Sequence, residues 1–162
     1  MKILPSSLVV LAVSLFPIAI IGSGSFTVQA STEIQNEEEK RKIELNQLIE
    51  EAEKAEDSLL LNRALELRKK ILSLTTEIYG IEDRVTATSL NNLAFLYKEI
   101  GQIADAESLY EQSLEIIEKI YGLEHQEASI TLNNLGLLYR DLGQYEEAEK
   151  LLKQSLEIIE KI

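Results

Sequence analysis

The amino-acid sequence predicts an all-α chain, a stack of three antiparallel helix pairs preceded by an N-terminal export segment. Three observations carry that expectation. The stretch 43–162 echoes itself at a step of 42 residues, and such a period marks an array of like units, each too small to bury its own apolar face. Inside each unit the apolar residues fall three or four apart, the spacing of a helix with one buried side. Only 2 Pro and 7 Gly occur among 162 residues, which leaves long helical runs unbroken.

Residues 1–30 are a different material. They carry one charged side chain, Lys2, and none of the 28 acidic residues. An apolar run from Leu8 to Ile21, interrupted by Ser14 and Pro17, leads through Gly22-Ser23-Gly24-Ser25 to Val28-Gln29-Ala30. A basic start, an apolar middle and small residues before a cut describe a secretory signal peptide cleaved after Ala30. The same run approaches the length of a spanning helix, so the segment is expected to be either a signal peptide or a membrane anchor. Both place the remainder outside the cytoplasm, periplasmic or extracellular if cleaved and membrane-anchored if not.

Residues 31–42 form a polar linker. Glu37, Glu38 and Glu39 precede Lys40, Arg41 and Lys42, an order that suits the opening of a helix through its dipole and through i,i+3 pairing. Such a charge run reads as a solvated helix face rather than a metal site.

The array follows as a divergent repeat, 43–84, and two close copies, 85–126 and 127–162. In the second unit Val85, Leu90, Leu93, Ala94, Leu96, Tyr97 and Ile100 line one helix, and Gly101 stops it by taking the left-handed conformation after a helix end. Its second helix starts near Ile103, carries Ala106, Leu109, Tyr110, Leu114, Ile117 and Ile120, and ends at Tyr121-Gly122. The third unit copies this with helices over Ala128–Leu142 and Tyr145–Ile162. Leu90-Asn91-Asn92-Leu93 falls on Leu132-Asn133-Asn134-Leu135, and Gln112–Ile120 matches Gln154–Ile162 without a mismatch. The first unit is fainter, with helices over Ile43–Asp57 and Leu60–Tyr79. Leu59 stands where the turn glycine should be.

The words Thr88-Ser89-Leu90-Asn91-Asn92-Leu93-Ala94-Phe95-Leu96-Tyr97, with Gly101, Ala106, Glu107, Leu109 and Tyr110, resemble the tetratricopeptide repeat in its 42-residue, kinesin-light-chain-like form. The resemblance covers about 43–162. It implies a right-handed superhelix, with Ala94 and Gly136 as the small residues where helices approach closely, and Ala106 and Ala148 as the matching helix-B alanines. Two features depart from it. Glu118 and Glu160 replace the proline that ends helix B in the shorter form, so helix B should run on to Gly122. The loops Gly122–Gln126 and Gly80–Arg84 lack the His-Pro of the longer form.

Composition narrows the function. With no Cys, a disulfide framework, a cysteine zinc site and a cysteine nucleophile are all excluded. A formal net charge of -12 repels a phosphate backbone, so no nucleic-acid partner is expected. The single histidine, His125, has no serine or aspartate at a triad spacing, and no phosphate-cradling Gly-x-x-x-x-Gly-Lys occurs. The expectation is therefore a non-enzyme with no cofactor and no metal. What remains is binding. The resemblance implies a concave groove of helix-A side chains, here Asn91 and Asn133, Phe95 and Leu137, Lys98 and Arg140, Glu99 and Asp141, that holds a peptide or protein partner. Asn91 and Asn133 would serve a partner backbone or pair within the array, whereas Asn92 and Asn134 would join helices A and B. The tyrosines Tyr97, Tyr110, Tyr121 and Tyr139 read as packing residues with solvated hydroxyls. Leu152, Leu156, Ile159 and Ile162 should form an exposed apolar strip on the last helix, open to self-association. The alternative to the groove is a structural role only, as a truncated or self-assembling repeat fragment.

Overall fold

The computed structural model describes residues 24–161. Six α-helices follow one another: α1 Gly24–Asp57, α2 Leu61–Tyr79, α3 Arg84–Glu99, α4 Ile103–Tyr121, α5 Gln126–Asp141 and α6 Tyr145–Lys161. No strand occurs among the described residues. The chain divides into two compact units, Met1–Glu37 and Glu38–Ile162. Within the first, residues 24–37 are helical, and 31–37 are exposed. The second holds the array. Most of the export segment lies outside the described residues, as does Ile162. Among the described residues no helix is long and apolar enough to cross a membrane.

From α2 onward the boundaries agree with the sequence to within two residues. The exception is α1, which begins at Gly24 rather than Ile43 and carries helix through the polar linker. No apolar stripe holds that stretch. Its support is local, as in the Lys42 Nζ–Glu38 Oε1 pair at 2.7 Å one turn apart, the kind of i,i+4 pairing that sustains a solvated helix.

Three helix pairs, α1/α2, α3/α4 and α5/α6, stack so that each packs on its sequence neighbours. In the first, Leu45, Ala52 and Ala55 of α1 meet Ala64, Leu67 and Ile71 of α2, and Leu96 of α3 joins them. One step along, Ala106 and Tyr110 of α4 meet Leu135 and Leu138 of α5. The same polar details recur 42 residues apart. Ser113 Oγ donates to the Ala87 carbonyl at 2.8 Å, and Ser155 Oγ to that of Ser129 at 2.8 Å. Glu82 pairs with Lys119, and Glu124 with Lys161. A satisfied buried serine adds about 1 kcal/mol and fixes how the two helices slide against each other.

Each helix A ends in the same two-bond cap. Gly101 N–H donates to Lys98 O and Gln102 N–H to Tyr97 O; Gly143 and Gln144 repeat this with Arg140 O and Tyr139 O. The first pair closes identically, through Leu59 N–H to Glu56 O and Leu60 N–H to Ala55 O. The cap needs a positive φ, which Gly101 and Gly143 adopt at 79° and 76° and Leu59 is forced into at 56°. The missing glycine has changed the residue and left the turn intact. A second irregularity marks the same pair: Arg68, 7% exposed, holds Glu56 through Nε–Oε1 at 2.7 Å and Nη2–Oε2 at 3.1 Å. Arg68 stands where α4 has the buried Tyr110.

Candidate protein-binding groove

The A helices α3 and α5 lie side by side, and a cleft of ≈ 400 Å³ opens between them over α4. One wall is a stripe on α3, Arg84, Thr88, Asn91 and Phe95, spaced four, three and four apart so that all face one way. The other wall is Glu127, Ile130, Thr131 and Asn134 of α5, and Ser113 and Ile117 of α4 contribute the floor. The helix starts are set locally. Asp83 Oδ1 accepts from Val85 N–H at 2.7 Å, and His125 Nδ1 from Glu127 N–H at 3.3 Å, 42 residues apart. His125 also stacks on Tyr121 with ring centroids 4.3 Å apart. The single histidine is thus a helix cap.

A chain of amide hydrogen bonds crosses the cleft. Asn134 Nδ2 donates to Asn91 Oδ1 at 2.8 Å, and Asn91 Nδ2 donates to Thr131 Oγ1 at 3.0 Å. This corrects the expectation for Asn134: it ties one helix A to the next rather than helix A to helix B. Asn92 is exposed and also lines the cleft. Each amide carries two N–H groups, so the chain of bonds uses one of each and leaves one. Phe95 and Ile130, 47% and 51% exposed, supply apolar surface on opposite walls.

Of the eight groove residues expected from the sequence, Asn91 and Phe95 line this cleft. Asn133 and Leu137 are half-buried on α5 outside it. Lys98, Glu99, Arg140 and Asp141 gather at the far ends of α3 and α5. There Lys98 Nζ lies 3.2 Å from Asp141 Oδ2 and 3.8 Å from Glu99 Oε1, and Arg140 Nη2 lies 2.8 Å from Asp141 Oδ1. Arg140 and then Lys98 hold the Asp141 carboxyl below the ordinary carboxylate range. At the near end Arg84 Nη1 meets Glu127 Oε1 at 3.1 Å. The cations of the groove are therefore neutralised from within the chain. Glu127 Oε2 is buried without a hydrogen-bond partner. Among the described residues no group of three acidic or histidine side chains is placed to hold a metal.

The tyrosines divide. Tyr139 donates its hydroxyl to Glu107 Oε1 at 2.5 Å, a bond that raises its pKa to about 12, and Lys69 Nζ lies 5.5 Å from the Tyr97 ring centroid. Tyr110 departs from the expected solvated hydroxyl: it is 0% exposed and its hydroxyl has no partner. Burial, with the Glu99 charge second, pushes its pKa well above the ordinary value.

The family model described as Tetratricopeptide repeat matches residues 60–119 and 85–161. The chain belongs to the tetratricopeptide repeat family. Solved structures agree. BtubC (BKLC) from P. vanneervenii superimposes with a TM-score of 0.64 at 25% identity, over 68% of this chain and 44% of that one. A kinesin light chain from Podosopora anserina, with nearly identical TPR-like repeats, gives 0.64 at 27% identity over 71% of this chain and 55% of that one. A point variant of it gives the same score and identity. The chain thus spans about half the length of these structures. Among curated proteins nothing matches. Tetratricopeptide arrays are in general non-catalytic scaffolds for protein–protein interaction, and their concave faces are extended binding surfaces.

Proposed function

We propose that this tetratricopeptide array is a non-catalytic scaffold whose α3–α5 cleft holds an extended segment of a protein partner outside the cytoplasm. The observation that carries this reading is the half-used amide chain of Asn134 and Asn91 between exposed Phe95 and Ile130. An amide both donates and accepts, so it pairs with a peptide backbone of any sequence. The flanking apolar pair seats a side chain from that backbone and removes it from water. Because Arg84, Lys98 and Arg140 are already paired with carboxylates of the chain, an acidic segment gains little here, and the anchors are apolar contact and backbone hydrogen bonding. Export rests on the pattern of residues 1–30, and amino-terminal sequencing of protein from the outer compartment, with Ser31 first, checks cleavage.

The groove is tested with peptides selected from a random displayed library on the full chain. Fluorescence anisotropy then compares the wild type with Ile130→Glu and with Phe95→Ala plus Asn134→Ala. Both variants should weaken binding about tenfold or more, the equivalent of ~1.4 kcal/mol. Selected peptides that bind both variants as well as the wild type would sink the reading. A purely structural, self-assembling role would instead appear as a dimer or larger species of the full chain in light scattering.

A further inference from the structure

The charges of the α3–α5 cleft do not follow the 42-residue pattern. Glu127 stands where α3 has Val85, and Arg84 where α5 has Gln126. The pair they form at the near end, Arg84 Nη1 to Glu127 Oε1 at 3.1 Å, therefore belongs to this junction alone among the described residues. That pair is incomplete. Glu127 Oε2 is buried without a hydrogen-bond partner. An ionised carboxylate accepts through both oxygens, and a buried acceptor left unpaired is costly.

The far end of the same two helices shows how such a group is completed. There Asp141 serves two cations, one on each oxygen: Lys98 Nζ lies 3.2 Å from Oδ2 and Arg140 Nη2 lies 2.8 Å from Oδ1. Glu127 has a cation on one oxygen only. Its second place is reachable from the cleft. Glu127 lines the cleft beside Ile130, and its side chain is 27% exposed. The last torsion of a glutamate is broad and roughly two-fold, so either oxygen turns toward an incoming donor. Charge favours a cation there over a neutral donor. The formal net charge of -12 draws cationic segments to the chain, while the Arg84 guanidinium is 52% exposed and screened by solvent.

We propose that the partner segment held in the α3–α5 cleft is recognised through a lysine or arginine, whose cation takes the open oxygen of Glu127. This rests on the groove reading above and adds to it the chemical class of the segment. A spacing follows. Glu127 and Ile130 lie one turn apart on α5, with about 5–6 Å between their Cβ atoms. An extended segment returns a side chain to the same side at every second residue, ~6–7 Å on. An apolar residue seated between Phe95 and Ile130 thus places the residue two positions away over Glu127. The segment reads apolar-x-Lys/Arg, or the reverse if it runs the other way.

The probes are those library-selected peptides whose binding to the full chain is lost with Ile130→Glu, which marks them as held in the cleft. They should be enriched in Lys or Arg two positions from an apolar residue. Anisotropy then compares each peptide with a version whose basic residue is replaced by glutamine. On the wild type that replacement should weaken binding about fivefold or more, and on Glu127→Gln by less than about twofold. Arg84→Gln removes the competing cation, so it should strengthen the basic peptide about twofold or more relative to its glutamine version. A merely structural disturbance of the cleft would weaken both versions alike. Circular dichroism checks that each variant keeps the fold. Cleft peptides without a basic residue at that spacing, or with equal losses on the wild type and on Glu127→Gln, overturn the proposal and leave the groove standing. Enrichment in Ser, Thr or Asn at that place assigns the oxygen to a neutral donor and overturns it as well. If no selected peptide responds to Ile130→Glu, the groove reading itself has failed and this inference falls with it.

Discussion

Removing one oxygen from the core should make this protein more stable. Tyr110 is 0% exposed and its hydroxyl meets no donor or acceptor, although in the unfolded chain water satisfies it. Burying a hydroxyl without a partner costs about 1–3 kcal/mol. Tyr110→Phe deletes that cost and keeps the ring, which packs with Ala94, Ala106, Leu135 and Leu138. The loss is the dispersion of one oxygen, a few tenths of a kcal/mol at ~0.1–0.2 per atom pair. The net expectation is a gain of about 1 kcal/mol, or ~3–5 °C in Tm for an array of this size. Urea and thermal unfolding followed by circular dichroism measure it. Tyr139→Phe is the control of opposite sign, because that hydroxyl is bonded to Glu107 and its removal should cost ~0.5–1.5 kcal/mol. A Tyr110→Phe variant less stable than the wild type by more than about 0.5 kcal/mol, the scatter of an ordinary surface change, would refute the argument.

Leu59→Gly should stabilise the protein by about 0.5–1 kcal/mol in the same unfolding assays, since a left-handed non-glycine costs roughly 1–2 kcal/mol and glycine's greater unfolded freedom returns part of it; the 81% exposed side chain gives up almost nothing. Glu56→Ala should cost ~2–4 kcal/mol by leaving the buried Arg68 unpaired, whereas Glu56→Leu with Arg68→Met should restore most of it; a double variant as unstable as the single one would contradict this. Gly136→Ala should destabilise by about 1–2 kcal/mol despite alanine's better helix propensity, because a Cβ there would lie 2.8 Å from Leu152 Cγ. At alkaline pH Tyr110 and Tyr139 act with the same sign: burial raises the first, and the Glu107 hydrogen bond raises the second from the ordinary value of 10.0 to about 12, so what Tyr139 contributes is complete below pH ~10 and disappears as pH rises toward ~12. Glu107→Gln should bring its phenolate absorbance titration down toward the ordinary value.

The helix pairs were legible because an apolar stripe and a terminating glycine agree at Val85–Gly101 and again one step later. The start of α1 as far back as Gly24 was not: the charge order of Glu37–Lys42 suited the opening of a helix, but residues 31–42 bury nothing and leave no periodic apolar trace to carry it further. Leu59 marks the opposite limit: the missing glycine set the first repeat apart as divergent, yet the cap hydrogen bonds persist and the backbone absorbs the strain of a positive φ. In the cleft, Asn91 and Phe95 were accessible from helical spacing on α3. Their partners were not, because α3 and α5 are offset along their length, so that Asn91 meets Thr131 and Asn134 and not its repeat counterpart Asn133. Arg84 and Thr88 carry a signal that does reach back: they continue the Asn91–Phe95 stripe upstream at the same spacing. Lys98 and Arg140 looked like free cations until the fold brought Asp141 between them.

Between Leu61 and Lys161 each helix leans on the helices adjacent in sequence, and α3 additionally on α5. A molecule so connected has low contact order and closes only short loops, which favours fast folding from whichever hairpin nucleates first. It also suits vectorial synthesis. As the polypeptide emerges residue by residue, every new hairpin finds its neighbour already waiting just upstream, and no part of the array must stay unfolded until the last codon is read.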